Sequence, residues 1–426
     1  MRLGQSDTFA AFRHRNFRLF YNGQAISLMG SWMQSVALSW LVLVLTDSSF
    51  YLGLVSALQT LPILIFSFLG GVVADQARRH HLLYVTQAGM MAVAFALGFL
   101  VASDLVTIWV LCLLVFMAGT ALAFDIPIRQ AFIMDLVGKA DLPNAIALNS
   151  TLFNGTRVVG PALAGLLIAQ VGLAKCFFLN ALSFLAVFLA LFWMKLPPPE
   201  EAPRVSVKEA LGELKDFVKE HQELKLILIL MTAVSILGHS YHVLVPILAR
   251  DVLGAGPEGF GLLMAVSGLG AFLGGLALAR RLTRRPPMPS FLGGLALFLL
   301  GLLALSLCRN YYLALGAMAL IGVGMVTQLS TGNSLLQLNV PDQMRGRIMS
   351  LFSLIIIGSV PFGSMLYGTV ATYLGPSLAL TLGSLAAASV SGYIFLRYPS
   401  LRHLNFKELE TPAATPLPPR VTPPVG

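Results

Sequence analysis

Three charged side chains stand deep inside long apolar runs: Asp125, Arg129 and Arg157. A carboxylate in such surroundings has to be paired or protonated, because an unpaired buried charge costs several kcal/mol. Arg129 is one helical turn from Asp125 and offers a permanent structural pair. Arg157, on the following apolar run, also lies within reach of a long side chain. A pair that opens as water enters lets Asp125 exchange a proton, so Asp125 and Arg157 are proton-coupling candidates. His239 and His242 titrate near neutral pH and are the other candidates. For each histidine, hydrogen bonding without titration is the alternative.

Uncharged polar residues recur at helical spacing in three further runs. Gln24, Ser27, Ser31 and Gln34 are three, four and three apart, and Thr232, Ser235, His239 and His242 repeat that interval. Thr327, Thr331, Ser334 and Gln337 share one face, with Gln328 and Asn333 beside them. Lipid penalises such stripes, so they point to a shared aqueous cavity that hydrogen-bonds a small molecule; bonding between helices is the alternative for any one residue. Enzyme chemistry has little to stand on. No Ser/His or His/Asp cluster is visible, and Gly268-Leu-Gly270-Ala-Phe-Leu-Gly274 has no preceding strand to make it a nucleotide loop. Cys112, Cys176 and Cys308 lack the spacing of a metal site or a disulfide framework, so neither metal nor cofactor is expected.

The elements that carry these residues follow from composition. Of 426 residues, 57% are hydrophobic and 11% charged, too little polar material to cover a water-facing surface of this length. Apolar runs give twelve spans, near 19–45, 51–74, 82–101, 106–133, 143–170, 175–194, 224–249, 258–279, 289–307, 311–335, 347–373 and 377–397. Continuous apolar runs without alternation are helices and not barrel strands. With the N-terminus in the cytoplasm, about 23 of the 28 Lys and Arg fall on that side. Arg129 and Arg157 lie in spans, and Lys175, Arg250 and Arg309 outside. The net charge of +9 therefore reads as membrane orientation and not as nucleic-acid binding. Arg13, Arg15 and Arg18 precede a span with no small-residue cleavage site, so that span is retained.

A charged break at 195–223, opening on Pro197-Pro198-Pro199, separates a six-span unit at 1–194 from another at 224–398. Ser206 and Glu209 have capping-box spacing, and Val207, Leu211, Leu214 and Val218 form one stripe. That amphipathic helix lies along the membrane or the bundle base, or serves as a solvated linker. Residues 399–426 are too proline-rich and core-poor to fold and read as a disordered cytoplasmic tail. The halves repeat: Leu69-Gly70-Gly71 recurs as Leu273-Gly274-Gly275, and Gly160, Gly165 and Gly172 as Gly363, Gly368 and Gly375. Two such halves related by an axis normal to the membrane can rock about a central site.

Gly71-Val-Val-Ala-Asp75-Gln-Ala-Arg78-Arg79 resembles the loop signature of the major facilitator superfamily. Asp125-Ile-Pro127-Ile-Arg129, Arg157-Val-Val-Gly-Pro161 and Pro341-Asp-Gln-Met-Arg-Gly-Arg347 resemble the bacterial branch that holds the enterobactin exporter and drug-efflux proteins. Gln76 and Arg78 depart from the signature, and Ala279 replaces the aspartate in the second copy. The resemblance implies an all-α membrane fold of twelve helices in two pseudo-symmetric bundles, in the bacterial inner membrane with both termini cytoplasmic. It also implies a cytoplasmic gate of Gly71, Asp75, Arg79 and Asp135. Gly160, Pro161 and Gly165 resemble the family's fifth-helix antiporter motif, and with Pro361 and Gly363 they serve helix packing. Val115 stands where the family's fourth-helix proton motif has arginine.

The expectation is a monomeric secondary transporter that exports a small amphipathic molecule, a drug or siderophore-like compound, in exchange for protons. Its cavity is lined by Gln24, Ser31, Gln34, His239, His242, Thr327, Gln328, Thr331, Asn333 and Ser334. An importer, a lipid transporter, or a membrane sensor or enzyme that moves nothing are the alternatives.

Overall fold

The computed structural model describes residues 9–76, 78–194, 207–282 and 287–403. Among these the chain is helical, with no β-strand. In lipid a helix satisfies its backbone hydrogen bonds internally, which is why each apolar run takes this form. The first half comprises α1 (Arg15–Thr46), α2 (Ser49–Gln76), α3 (Arg79–Ala102), α4 (Ile108–Val171) and α5 (Leu173–Phe192). At 64 residues α4 is too long for one crossing at 1.5 Å per residue. It turns at Gly138, whose φ of 71° disfavours a side chain, and so forms the fourth and fifth crossings. The expected connection of several residues there is this single turn.

A linker helix, α6 (Val207–Glu220), leads into the second half: α7 (Gln222–Leu237), α8 (Val245–Ile247), α9 (Pro257–Leu282), α10 (Pro287–Leu307) and α11 (Tyr311–Leu338). Then follow α12 (Asp342–Gly358), α13 (Val360–Leu374) and α14 (Pro376–Arg397). Pro361, in the first turn of α13, has no N–H to continue the ladder, and the eleventh crossing breaks at Ser359. The seventh crossing departs further from expectation. Regular helix stops at Leu237, and residues His239–Val243 form a tight 3-10 turn. Tyr367 donates its hydroxyl proton to the Leu237 carbonyl, holding the end of the helix.

The linker helix packs against the second half, with Phe217 buried, Leu214 and Val218 against the core, and Glu213 paired with Arg347 of α12. It is not a freely solvated linker. Residues 195–206, with Ser206, lie outside the described residues, as do 404–426. The tail expected to begin at 399 is ordered in its first five residues. Pro399–His403 form a 3-10 turn because Leu401 finds a buried place, with a relative exposure of 1%.

Symmetry shows in pairs of crossings. Gly70 meets α4 at Ala123, and Gly274 meets α11 at Val323, so the second and fourth crossings pack as the eighth and tenth do. Gly172 and Gly375, with φ of 85° and 81°, open the sixth and twelfth crossings alike. The halves join through an equivalent pair of contacts, α2 with α13 and the second limb of α4 with α9. A Cβ on Gly53 would stand 2.4 Å from the Ser364 carbonyl oxygen, and one on Gly261 2.5 Å from that of Pro161. Ser56 and Ser364 hydroxyls bond at 2.9 Å, Trp40 stacks on Phe260, and Asp47 pairs with Arg250. These contacts gather on the face opposite the linker. Toward the linker face Ser150, Thr151, Ser330 and Ser350 remain exposed.

Gly261→Val has no room for its side chain at this crossing. Overpacking of this kind costs about 1–3 kcal/mol, and a lowered melting midpoint of the purified variant in detergent is expected; an unchanged midpoint would show that the crossing is loose.

Candidate functional site

Asp125 sits in the first limb of α4, 1% exposed. One carboxylate oxygen accepts from Thr86 Oγ1 and from Gln87 Nε2 of α3, each at 2.9 Å. The other faces Arg129 Nε at 3.4 Å. Arg129 in turn donates to Gln24 Oε1 of α1 at 3.1 Å. Three helices of the first half are thus tied by one polar chain, and Arg157 is not part of it.

Arg157 lies elsewhere, on the second limb of α4 where α9 crosses. A Cβ on Gly268 would stand 2.8 Å from the Arg157 carbonyl oxygen, so the two backbones nearly touch. Its guanidinium is 5.9 Å from the centre of the Trp32 ring and 3.9 Å from the Met325 sulfur of α11. Gly160 leaves space for Trp32, whose Cβ would be 2.5 Å from a side chain there. Tyr241, His239 and His242 lie within electrostatic range of Arg157. Among the described residues no carboxylate is within ion-pair distance of it. The expected alternative of an Asp125–Arg157 pair is therefore corrected: Asp125 is saturated within its own half.

The expected cavity residues divide. Gln24, His239, Gln328 and Thr331 are buried, while Ser31, Gln34, His242, Thr327, Asn333 and Ser334 are partly exposed. Asn180 donates to Gln34 Oε1 at 2.7 Å, and His239 Nε2 meets Gln328 Oε1 at 3.1 Å. His242 Nδ1 faces the His239 carbonyl at 3.0 Å. Thr331 and Ser334 donate to carbonyls four residues back in their own helix. Thr327 packs on Gly294 of α10.

The seventh-span stripe is broken as a helical face. Ser235 bonds to Ser359, and Thr232 lines a separate apolar groove of about 430 Å³ with Val218, Lys225, Leu228 and Leu351. Trp32, Tyr241, Thr86, Gln87 and Asn180 were not signalled by any stripe. Trp32 reads as apolar filling, and the others are single or paired polar residues without a helical repeat.

At the linker face Arg79 donates to Asp135 at 2.7 Å and to the Ala74 carbonyl at 3.1 Å. No atom stands within 4 Å of a Cβ position at Gly71. The Asp75 side chain lies outside the described residues. Gly165 meets Pro257 and Glu258 of α9, and Gly363 meets Ile236 and Ser240.

Residues 6–421 match the family described as transmembrane secretion effector, within the major facilitator superfamily. The chain belongs to that family. Relatives include the staphyloferrin A transporter of Staphylococcus aureus, 29% identical over 84% of this chain and 90% of that protein. The enterobactin exporter of Shigella boydii is 26% identical over 96% of this chain and 95% of its own length. A bacterial homologue of the human lysosomal transporter Spinster, solved inward-facing and unoccupied, superposes with a TM-score of 0.73 at 15% identity, covering 95% of this chain and 100% of that one. This is a multi-pass membrane transporter of the major facilitator type.

Removing either partner of the Asp125–Arg129 pair has unequal consequences. Arg129→Gln strands a buried carboxylate, at about 3–5 kcal/mol, whereas after Asp125→Asn the partly exposed arginine can turn toward water. Thermal melts should place Arg129→Gln below Asp125→Asn, with the double variant above Arg129→Gln. The reverse order would show that the pair is not the anchor of this network.

Proposed function

We propose that this transporter exports a small amphipathic molecule of drug or siderophore type from the bacterial cytoplasm by alternating access, in exchange for protons. The observation that carries the reading is the equivalent pair of glycine-lined crossings, α2–α13 and α4–α9, which hold the halves together on one face, while Gln34 of one half and His242, Thr327 and Asn333 of the other stay partly exposed. The basic loops assign the linker face to the cytoplasm, with both termini there. With that orientation the exposed linker face supports a cytoplasm-open state, and the monomer is the proposed working unit. Relatives named for staphyloferrin A and enterobactin favour export of a siderophore-like compound.

Asp125 is proposed as the proton carrier. Gln87 Oε1 is buried without a partner, so a flip of that amide supplies an acceptor for a protonated carboxyl. Asp75, Arg79 and Asp135 are proposed to latch the cytoplasmic face when it closes. Charge pairs near water are worth about 0–1 kcal/mol each, weak enough to break in every cycle.

Counterflow in proteoliposomes loaded with siderophores or with hydrophobic drugs tests transport, and flux driven only inward would make the protein an importer. Asp125→Asn is expected to abolish flux driven by a pH gradient while sparing counterflow; full pH-driven flux in that variant would remove Asp125 from coupling. Asp47→Cys with Arg250→Cys, in a background lacking Cys112, Cys176 and Cys308, should lock the far face when bridged by a short reducible bis-thiosulfonate cross-linker and stop counterflow until reduction. Flux unaffected by the cross-link would mean that this face does not open.

A further inference from the structure

We propose that Arg157 is the anchor of the central site and that it takes a carboxylate, so that the transported molecule is an organic acid with an apolar or aromatic body. The proposal rests on the transporter reading and supplies the substrate's chemistry. The charge balance comes first. Asp125 and Arg129 cancel each other inside the first half, and Arg157 is left without a counterion among the described residues. His239 and His242, its neighbours by electrostatic range, bring no negative charge. The centre of the molecule thus carries an excess positive charge that no side chain of the described chain neutralises.

The geometry comes second. Arg157 sits where the halves meet: α9 touches its backbone, Met325 of α11 is beside its guanidinium, and Trp32 of α1 covers it. A sulfur at 3.9 Å is a weak acceptor, so most of the five N–H donors stay free for a bidentate oxygen pair. Trp32, with Phe153 stacked edge-on at 5.5 Å, gives the same place an aromatic wall. Charge, fork and aromatic wall together fit an amphipathic acid and oppose a cation.

A mechanism for coupling follows. While the cytoplasmic face is open, water solvates the guanidinium. Closing the face removes that water, which an uncompensated charge resists. A bound carboxylate supplies the missing counterion, so the loaded carrier occludes more readily than the empty one. Ligand binding shifts the conformational population because affinity differs between the states.

The probes are three matched naphthalenes: 2-naphthoate, its neutral amide 2-naphthamide, and the cationic 2-naphthylmethylamine. Binding to the full-length protein in detergent is titrated directly, and counterflow is run in parallel. Wild type should bind the acid at least about tenfold more tightly than the amide, the difference expected of a charge-assisted pair over a neutral one, and the amine most weakly. Arg157→Gln should erase the preference for acid. Arg157→Lys, which keeps the charge but loses the fork, should retain an intermediate preference, and it reads the site even if Arg157→Gln fails to fold. Equal binding of acid and amide by wild type, or an unchanged preference in either variant, overturns the proposal. Because binding is read without flux, the two ideas fail separately. Acid preference without counterflow of any compound would sink the transporter reading alone, whereas counterflow without acid preference would sink the carboxylate site alone.

Discussion

Close approach of helix backbones at the α2–α13 and α4–α9 crossings is the constraint on which the rest of the molecule depends. At these places glycine faces a carbonyl oxygen of the partner helix, as Gly53 does Ser364 and Gly261 does Pro161. Between apolar helices in lipid there is little hydrophobic force to hold the halves together, so contact area between small residues has to do it. Packing without interlocked large side chains can also slide and tilt. Arg157 sits directly at one of these crossings, its carbonyl oxygen 2.8 Å from a Cβ position at Gly268.

Charge placement follows that division. Asp125, Arg129, Gln24, Thr86 and Gln87 form a chain inside one half, where its geometry is carried as a rigid unit through any rocking motion. Arg157 belongs to the seam, and its surroundings change whenever the halves move. A charge sealed in a bundle holds that bundle together, whereas a charge at the seam depends on what both halves bring to it. The two arginines are 28 residues apart on one helical run, yet the turn at Gly138 and the seam give them different physical situations.

Much of the architecture was legible beforehand. Twelve apolar runs, the charged break, and glycines recurring between halves sufficed for the fold, because lipid admits few solutions for an apolar chain. The candidate site was legible only in part. Polar residues inside the runs stand out by their spacing, but a helical period does not continue through 232–242. Gly238 and the Tyr367 hydroxyl end that helix at Leu237, so Ser235, still helical, bonds to Ser359 while His239 leaves its face and lies against Gln328. Gly238 is visible in the local sequence, but no local window contains its partner in that role, since Tyr367 lies 130 positions from Leu237.

Hydrophobicity is a property of each residue, and its sum along the chain determined the membrane setting and the number of crossings, while recurring glycines gave the twofold kinship of the halves. Pairing is a property of distance. Whether Asp125 answered Arg129 or Arg157, whether Gln24 faced water or an arginine, and which guanidinium Trp32 covered were decided only by tertiary structure, because electrostatic and hydrogen-bond energies depend on separations of a few ångströms between helices that the chain connects far apart.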